Sequence, residues 1–201
     1  VGAGNVLNEM IASGIVPVTV LDMVFRQKNT SRIPLNAQSI QMGETKLLYG
    51  DDFQFLPAEN AAEAAEIIKS KFLKQTSIYG VEHTQVLTPF RVKSDAGAVM
   101  LNLALQDMIN PSVNKRLEIS FGNRTIRYRA KGMQTKNMET VSNGDIGFVS
   151  MVDKDADFPV TVTFSDNRIK EYSMDELGSI DLAYATTIHK SQGSEFDCVI
   201  I

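Results

Sequence analysis

Ala185-Thr186-Thr187-Ile188-His189-Lys190-Ser191-Gln192-Gly193-Ser194-Glu195-Phe196-Asp197 sets hydroxyls, a histidine, a lysine, an amide and a carboxylate between two apolar stretches. Apolar residues lead in, a polar helical turn comes next, Gly193 stops it, and Phe196 leads to the apolar run Cys198 to Ile201. A buried strand beginning just after a polar turn predicts a helix-to-strand corner at the edge of an open α/β sheet, where such folds bind ligands. The same spacing suits an ordinary αβ connection with solvated polar residues. The rest of the chain has to decide between the two.

Upstream, apolar Val6, Leu7, Met10 and Ile11 predict a helix over Asn5 to Ser13, stopped by Gly14. Val16 to Leu21 reads as a short β-branched strand, and Pro34 to Met42 as a helix ending at Gly43. Asp52 to Leu56 suggests a short strand. Asn60 to Leu73 reads as a helix burying Ala62, Ala65, Ile68 and Phe72, with Glu59, Glu63 and Glu66 near its positive N-terminal end. Thr84 to Leu87 returns as a strand, and Asp95 to Ile109 as an amphipathic helix stopped before Pro111. Strands alternating with helices predict a parallel sheet covered on both faces.

After Pro111 the pattern changes. Leu117 to Phe121 and Thr125 to Arg129 alternate around Gly122-Asn123, a hairpin signal. Asp145 to Val152, Val160 to Phe164 and Arg168 to Tyr172 read as further strands. Five short strands without a helix predict a small barrel inserted into the α/β domain.

Several segments, in order, resemble the RecD/TraA branch of the superfamily 1 DNA helicases. Thr187 to Phe196 resembles motif V. Val1-Gly2-Ala3-Gly4-Asn5-Val6-Leu7 resembles the stretch directly after motif III, and Leu21-Asp22-Met23-Val24-Phe25-Arg26-Gln27 resembles motif IV with its arginine. Leu87-Thr88-Pro89-Phe90-Arg91 resembles the strand end that comes next, and Val141 to Gly147 the opening of the family's inserted barrel. The resemblance implies an α/β fold: a second RecA-like lobe (2A) of P-loop NTPase type, without the P-loop itself, carrying a small all-β SH3-like insertion (2B). It implies 2A over 1–112, the insertion over 113–180, and 2A resuming with motif V over 181–201. It also implies that the chain begins past motif III and stops before motif VI, half of a motor.

The missing motifs agree. No GxxxxGK[ST] loop occurs, so no run of backbone amides with a lysine wraps nucleotide phosphates here. Asp175-Glu176 sits in a polar stretch, not at a buried strand end, and Gly2-Ala3-Gly4 has no strand before it. ATP and Mg²⁺ would therefore be held mainly by an N-terminal RecA-like domain of the same parent, and no metal ligand set is expected in this chain. The 201 residues suffice for a sizeable core, and 43% hydrophobic with 22% charged residues is ordinary for a globular protein. A net charge of −4 argues against a nucleic-acid coat while leaving room for local basic patches. Cys198, alone in its type, reads as a buried inert thiol in a strand. With no signal peptide and no apolar run of membrane length, the cytoplasm is the default and no membrane partner is expected.

Arg26, beside Phe25, is the candidate catalytic residue: an always-charged planar fork suits the charge spread over a transferring γ-phosphoryl group. The alternative is a surface arginine in a salt bridge. Gly193 and Glu195 are the other nucleotide-binding candidates, the glycine for close backbone approach and the carboxylate for a ribose hydroxyl; capping is the rival role for Glu195. Thr187, His189 and Gln192, at helix-like spacing, suit a DNA backbone. Thr88 and Phe90, ending a strand, suit a phosphate and a base, with core packing the rival for Phe90. Lys115, Arg116, Arg124, Arg127, Arg129, Lys131 and Lys136 face the single acid Glu118, and alternation puts Arg127 and Arg129 on one face as DNA contacts. Where the family usually carries Gly-Asp, this chain has Arg129-Ala130, which predicts an altered turn and leaves the roles of Lys131 and Gln134 open.

Two functions are consistent with these residues. One is the motor half of an ATP-dependent DNA helicase, moving 5′ to 3′ on single-stranded DNA as the RecD-like branch does, with recombination or repair proteins as further partners. The other is a stand-alone binding module whose barrel engages a protein, peptide or nucleic acid without nucleotide. A Pif-type helicase shares the His-Lys-Ser-Gln-Gly core; Val1 to Leu7 and Asn143-Gly144-Asp145 favour the RecD-like branch.

Overall fold

The computed structural model describes residues 5–19 and 31–201. Val1 to Gly4 and the whole motif IV segment with Arg26 lie outside the described residues. The chain divides into two compact units, Val1–Leu56 and Pro57–Ile201.

In the first unit, helix α1 spans Val6–Ser13 and stops at Gly14 in the left-handed conformation, as its spacing predicts. Helix α2 spans Arg32–Gln41 and starts two residues earlier than expected, because the Ser31 hydroxyl caps it by accepting from Ile33 N–H. Asp52 pins that start: it accepts from the Arg32 amide at 2.7 Å and pairs with the Arg32 guanidinium at 2.8 Å. The Arg32 contacts hold the Asp52 carboxyl down at about 2. Buried Asn36 closes the unit by exchanging two 2.8 Å hydrogen bonds with the Leu48 backbone. Two expected strands are not formed among the described residues. Residues 16–19 pair with no strand, and Asp52 to Leu56 contributes only the bridge Gly50↔Phe53. A strand needs a partner for its amides, and residue type alone cannot reveal whether one is within reach.

In the second unit, helix α3 (Ala61–Tyr79) is capped by Asn60, which accepts from Glu63 N–H, while Glu63 reaches back to the Glu59 amide. Ala65 and Phe72 are buried and Ile68 packs against the core, but Ala62 in the first turn is exposed. Strand β1 (Thr84–Thr88) and helix α4 (Ala98–Ile109) come next as expected, the helix starting three residues late behind Gly97. The hairpin forms from β2 (Glu118–Phe121) and β3 (Arg124–Arg127). Then come β4 (Lys131–Gln134), β5 (Ile146–Val152), β6 (Val160–Phe164), β7 (Ile169–Tyr172) and β8 (Ile180–Leu182). The chain passes through buried Ala183 and Tyr184 directly into β9 (Ala185–Thr187) and ends with β10 (Cys198–Ile200).

Strands β10-β1-β9 form a parallel sheet against which α3 and α4 pack, as the alternating pattern predicts. Asn102 of α4 clamps the start of β9, donating to Ala185 C=O at 2.8 Å and accepting from Ala185 N–H at 2.9 Å. The β-rich region differs from the expected barrel. It is a two-stranded hairpin plus an open antiparallel sheet ordered β7-β6-β5-β4-β8, whose end strands do not pair with each other. Strands β4 and β8 are not expected from the sequence, since a Lys-Gly-Met-Gln run and a three-residue strand carry almost no period-2 signal. Among the described residues no helix is long and apolar enough to cross a membrane.

Candidate functional site

Both β9 and β10 run parallel to β1 on either side of it, with Thr187 beside Thr88 at one end and Cys198 beside Thr84 at the other. Residues 188–197 must therefore travel from the carboxyl end of β9 back to the amino end of β10. A short 3-10 turn, Ile188–Ser191, begins the journey in place of the helix usual in such crossovers. The polar stretch is thus a strap along β1, not a single corner.

The strap distributes the candidate residues. Thr187 ends β9 and is half-buried; His189 is exposed in the turn and Gln192 exposed just after it. The three do not share a helix face, because the turn is only four residues long and Thr187 belongs to the strand. They do cluster near the carboxyl end of β9. Gly193 takes φ 86°, and a Cβ built on it meets nothing within 4 Å, so its backbone faces open space. Glu195 is exposed two residues on.

The far end of the strap is anchored by a residue whose role the sequence leaves open. Lys131, fully buried on β4, hydrogen-bonds to Val81 O at 2.9 Å and Thr84 O at 3.0 Å, with Glu82 O at 3.5 Å. Its ammonium also lies 5.5 Å from the Phe196 ring centre, and the Tyr184 hydroxyl accepts from its backbone N–H at 3.3 Å. Beside it, His83 Nδ1 lies 3.1 Å from Asp197. Cys198 is half-buried, and burial raises its thiol pKa.

At the end of β1, Thr88 is buried and its hydroxyl is engaged, donating to Ala96 O at 2.8 Å and accepting from Phe90 N–H at 3.3 Å. That bond pair shapes the loop leading to α4. Phe90 is half exposed, away from the core. Arg91 comes next and meets Asp181 at 3.3 Å.

The basic run is not opposed by Glu118 alone. Arg127 is largely buried, pairs with Asp107 at 2.7 Å and Glu118 at 3.4 Å, and donates to Asn110 O. Lys115 is the main cause that holds the Glu118 carboxyl below its usual range. Arg124 pairs with Asp181 and donates to Leu177 O. Asp107 and Asp181 lie outside the basic segment, so only folding brings them to it. Arg129 does not alternate with Arg127, because β3 ends at Arg127 and Arg129 takes φ 67°. Glycine serves a left-handed position without strain, so Arg129 carries a conformational cost at this turn that a glycine would not. Gln134 is buried and accepts from the Tyr172 hydroxyl at 2.7 Å, inside the sheet core. Nothing in the sequence marks Lys131 as buried, since neither β4 nor the carbonyls that meet its ammonium are legible from neighbouring residues.

Residues 182–201 match the family described as UvrD-like helicase C-terminal domain. The chain is 31% identical over 190 residues to the ATP-dependent RecD2 DNA helicase of Deinococcus radiodurans, covering 92% of this chain and 24% of that protein. It thus spans about a quarter of the length of the curated relative it matches. The crystal structure of Pif1 helicase from Candida albicans superposes with a TM-score of 0.50 at 17% identity, over 88% of this chain and 48% of that one, a likeness of fold. A second Pif1 structure, described as unwinding forked double-stranded DNA by two coordinating helicases, aligns at a TM-score of 0.45 and 15% identity, over 89% of this chain and 42% of that one. The chain is similar to the C-terminal part of superfamily 1 helicases of the RecD type, and its mixed α/β fold with a parallel sheet fits a RecA-like lobe.

Proposed function

From a chain similar over nearly its whole length to part of a RecD2 helicase, we propose that it is the second motor lobe of an ATP-dependent DNA helicase. The lobe would comprise 1–112 and 181–201, with the all-β region of 113–180 standing where the family carries its SH3-like insert. The observation that carries this reading is the strap of residues 188–197, which bears polar side chains beside the carboxyl ends of two parallel strands. Thr187, His189 and Gln192 would grip a single strand, with Phe90 exposed nearby for stacking.

The nucleotide would be shared. Mg²⁺ and the ATP phosphates would be held mainly by an N-terminal phosphate-loop lobe of the parent, as the family resemblance implies. This chain would add Arg26 at the γ-phosphate and, at Gly193 and Glu195, open backbone and a carboxylate for the ribose. Closure of the two lobes on ATP would alternate their grips and move the strand; the 5′ to 3′ sense rests on the family resemblance. Recombination or repair proteins as partners rest on it too.

Arg26→Ala in the whole protein tests the reading. ATP turnover should fall by about 10³-fold or more, the scale of an arginine acting on a transferring phosphoryl group. Single-strand affinity should stay within about two-fold, since such an arginine contacts nucleotide and not DNA. Unchanged turnover would sink the assignment.

A further inference from the structure

Lys131 fills a core position at a cost in stability. Its side chain is fully buried on β4, and an apolar side chain of similar volume would occupy the same space without taking an ammonium out of water. What the ammonium adds is geometry. It donates to Val81 O at 2.9 Å and Thr84 O at 3.0 Å while facing the Phe196 ring at 5.5 Å. One charge on β4 thus fixes the spacing between two stretches far apart in the chain, the turn entering β1 and the end of the strap. Hydrophobic contact is non-directional and would let the ring settle over a range of positions, whereas a cation held by two carbonyls marks one.

Neighbouring residues reinforce the same junction. His83 O accepts from Cys198 N–H at 3.1 Å, and the His83 ring lies 3.1 Å from the Asp197 carboxylate. Residues 196, 197 and 198 are therefore tied one after another to the segment 81–84, the first through Lys131. Gln192 to Glu195 are all exposed, and Phe196 is the first residue after them to enter the fold. The point of entry sets where the residue before it stands. Consecutive Cα atoms are held about 3.8 Å apart, so a displaced ring carries the Glu195 backbone with it.

We propose that Lys131 is a positioning residue for nucleotide binding: through Phe196 it holds Glu195 in place, and it touches neither nucleotide nor DNA itself. The inference rests on the helicase reading above and on Glu195 as the ribose contact. It gives the β-rich region a part in nucleotide affinity, exerted from β4 through a single buried charge.

The test is steady-state ATP hydrolysis by the whole protein, saturated with oligothymidylate, in four forms: wild type, Lys131→Met, Glu195→Gln and the double variant. Lys131→Met should raise KM for ATP by about three- to ten-fold, part of what a lost charged hydrogen bond would cost. Its kcat and single-strand Kd should stay within about two-fold, the pattern of lost ground-state binding. Glu195→Gln should raise KM at least as far. The double variant should match Glu195→Gln, because Lys131 then has nothing left to position. A merely structural lysine behaves differently: the two KM effects would multiply, or KM, kcat and strand affinity would all worsen together with a lower urea midpoint. Either result overturns the proposal. If Glu195→Gln leaves KM unchanged, the route through Glu195 fails and the helicase reading stands. Phe196→Leu, which keeps an apolar anchor and removes the ring, should reproduce the Lys131→Met pattern and serves if that variant does not fold; a normal KM there also overturns the proposal. A wild type without ATP turnover overturns the helicase reading and this inference with it.

Discussion

Lys131 makes the sharpest demand of any single residue. Three backbone carbonyls and the Phe196 ring face its ammonium, and no carboxylate pairs with it at salt-bridge distance among the described residues. Burial pushes its pKa down from the usual 10.5 to about 8, the charge of Glu82 opposing. Because the folded pKa lies below the unfolded one, the unfolded chain keeps this proton at pH values where the folded chain has lost it. Stability therefore rises with pH between about 8 and 10.5, while below 8 the full cost of burying the charge is present. A shift of this size corresponds to about 3 kcal/mol. Lys131→Met, similar in volume, should remove that rise: urea unfolding at pH 7.5 and pH 10 should show the wild type gaining on the variant by up to about 3 kcal/mol. Parallel pH curves would mean that the amine is solvated.

At the scale of elements, β5 and β6 approach so closely that Gly147 has no room for a side chain. A Cβ there would sit 2.6 Å from Thr163 O and 2.9 Å from Phe164 Cα, both backbone atoms that move only with the strand. Gly147→Ala should destabilise the protein by about 1–3 kcal/mol through overpacking. Gly178→Ala, where the nearest atom is the Phe121 ring at 3.7 Å, should stay within about 0.5 kcal/mol. Equal midpoints for the two variants in urea would show that the sheet gives way locally. The strap is an element of another kind. Its turn is too short to bury a face of its own, and it is held by contacts at its two ends: β9 through pairing with β1, and Phe196 through Lys131. The β-rich region and the parallel sheet thus meet at the motif that carries the candidate contacts.

For the whole molecule, these 201 residues contain no GxxxxGK[ST] loop to wrap nucleotide phosphates. The chain by itself should show no ATP turnover above a mock purification, with or without single-stranded DNA, in a phosphate-release assay. Turnover that stays with the protein through purification would overturn the shared-nucleotide reading. The net charge of −4 has its own consequence. On the proposed helicase reading, strand binding would come from local positive surplus and not from overall charge, and should weaken steeply with salt.

The sequence by itself determined the elements with strong local signals. Asn60 and the Glu-rich first turn started α3, Gly122-Asn123 turned the hairpin, and alternation of strand and helix announced the parallel sheet. It also marked the strand after the polar motif and the motif's family likeness, because both are properties of contiguous residues, but it expected a helix and not β9 to lead into the motif. Tertiary structure alone decided which strands close on which, and the predicted barrel became an open sheet because pairing depends on partners distant in the chain. It decided that Arg127 is paired with Asp107 and Glu118, that Thr88 spends its hydroxyl on Ala96, and that Lys131 reaches the Val81 to Thr84 segment. The physical reason is common to all of these. A charge or a hydroxyl is available to a ligand only if nothing else in the fold claims it, and the claimants are set by folding, not by neighbouring sequence.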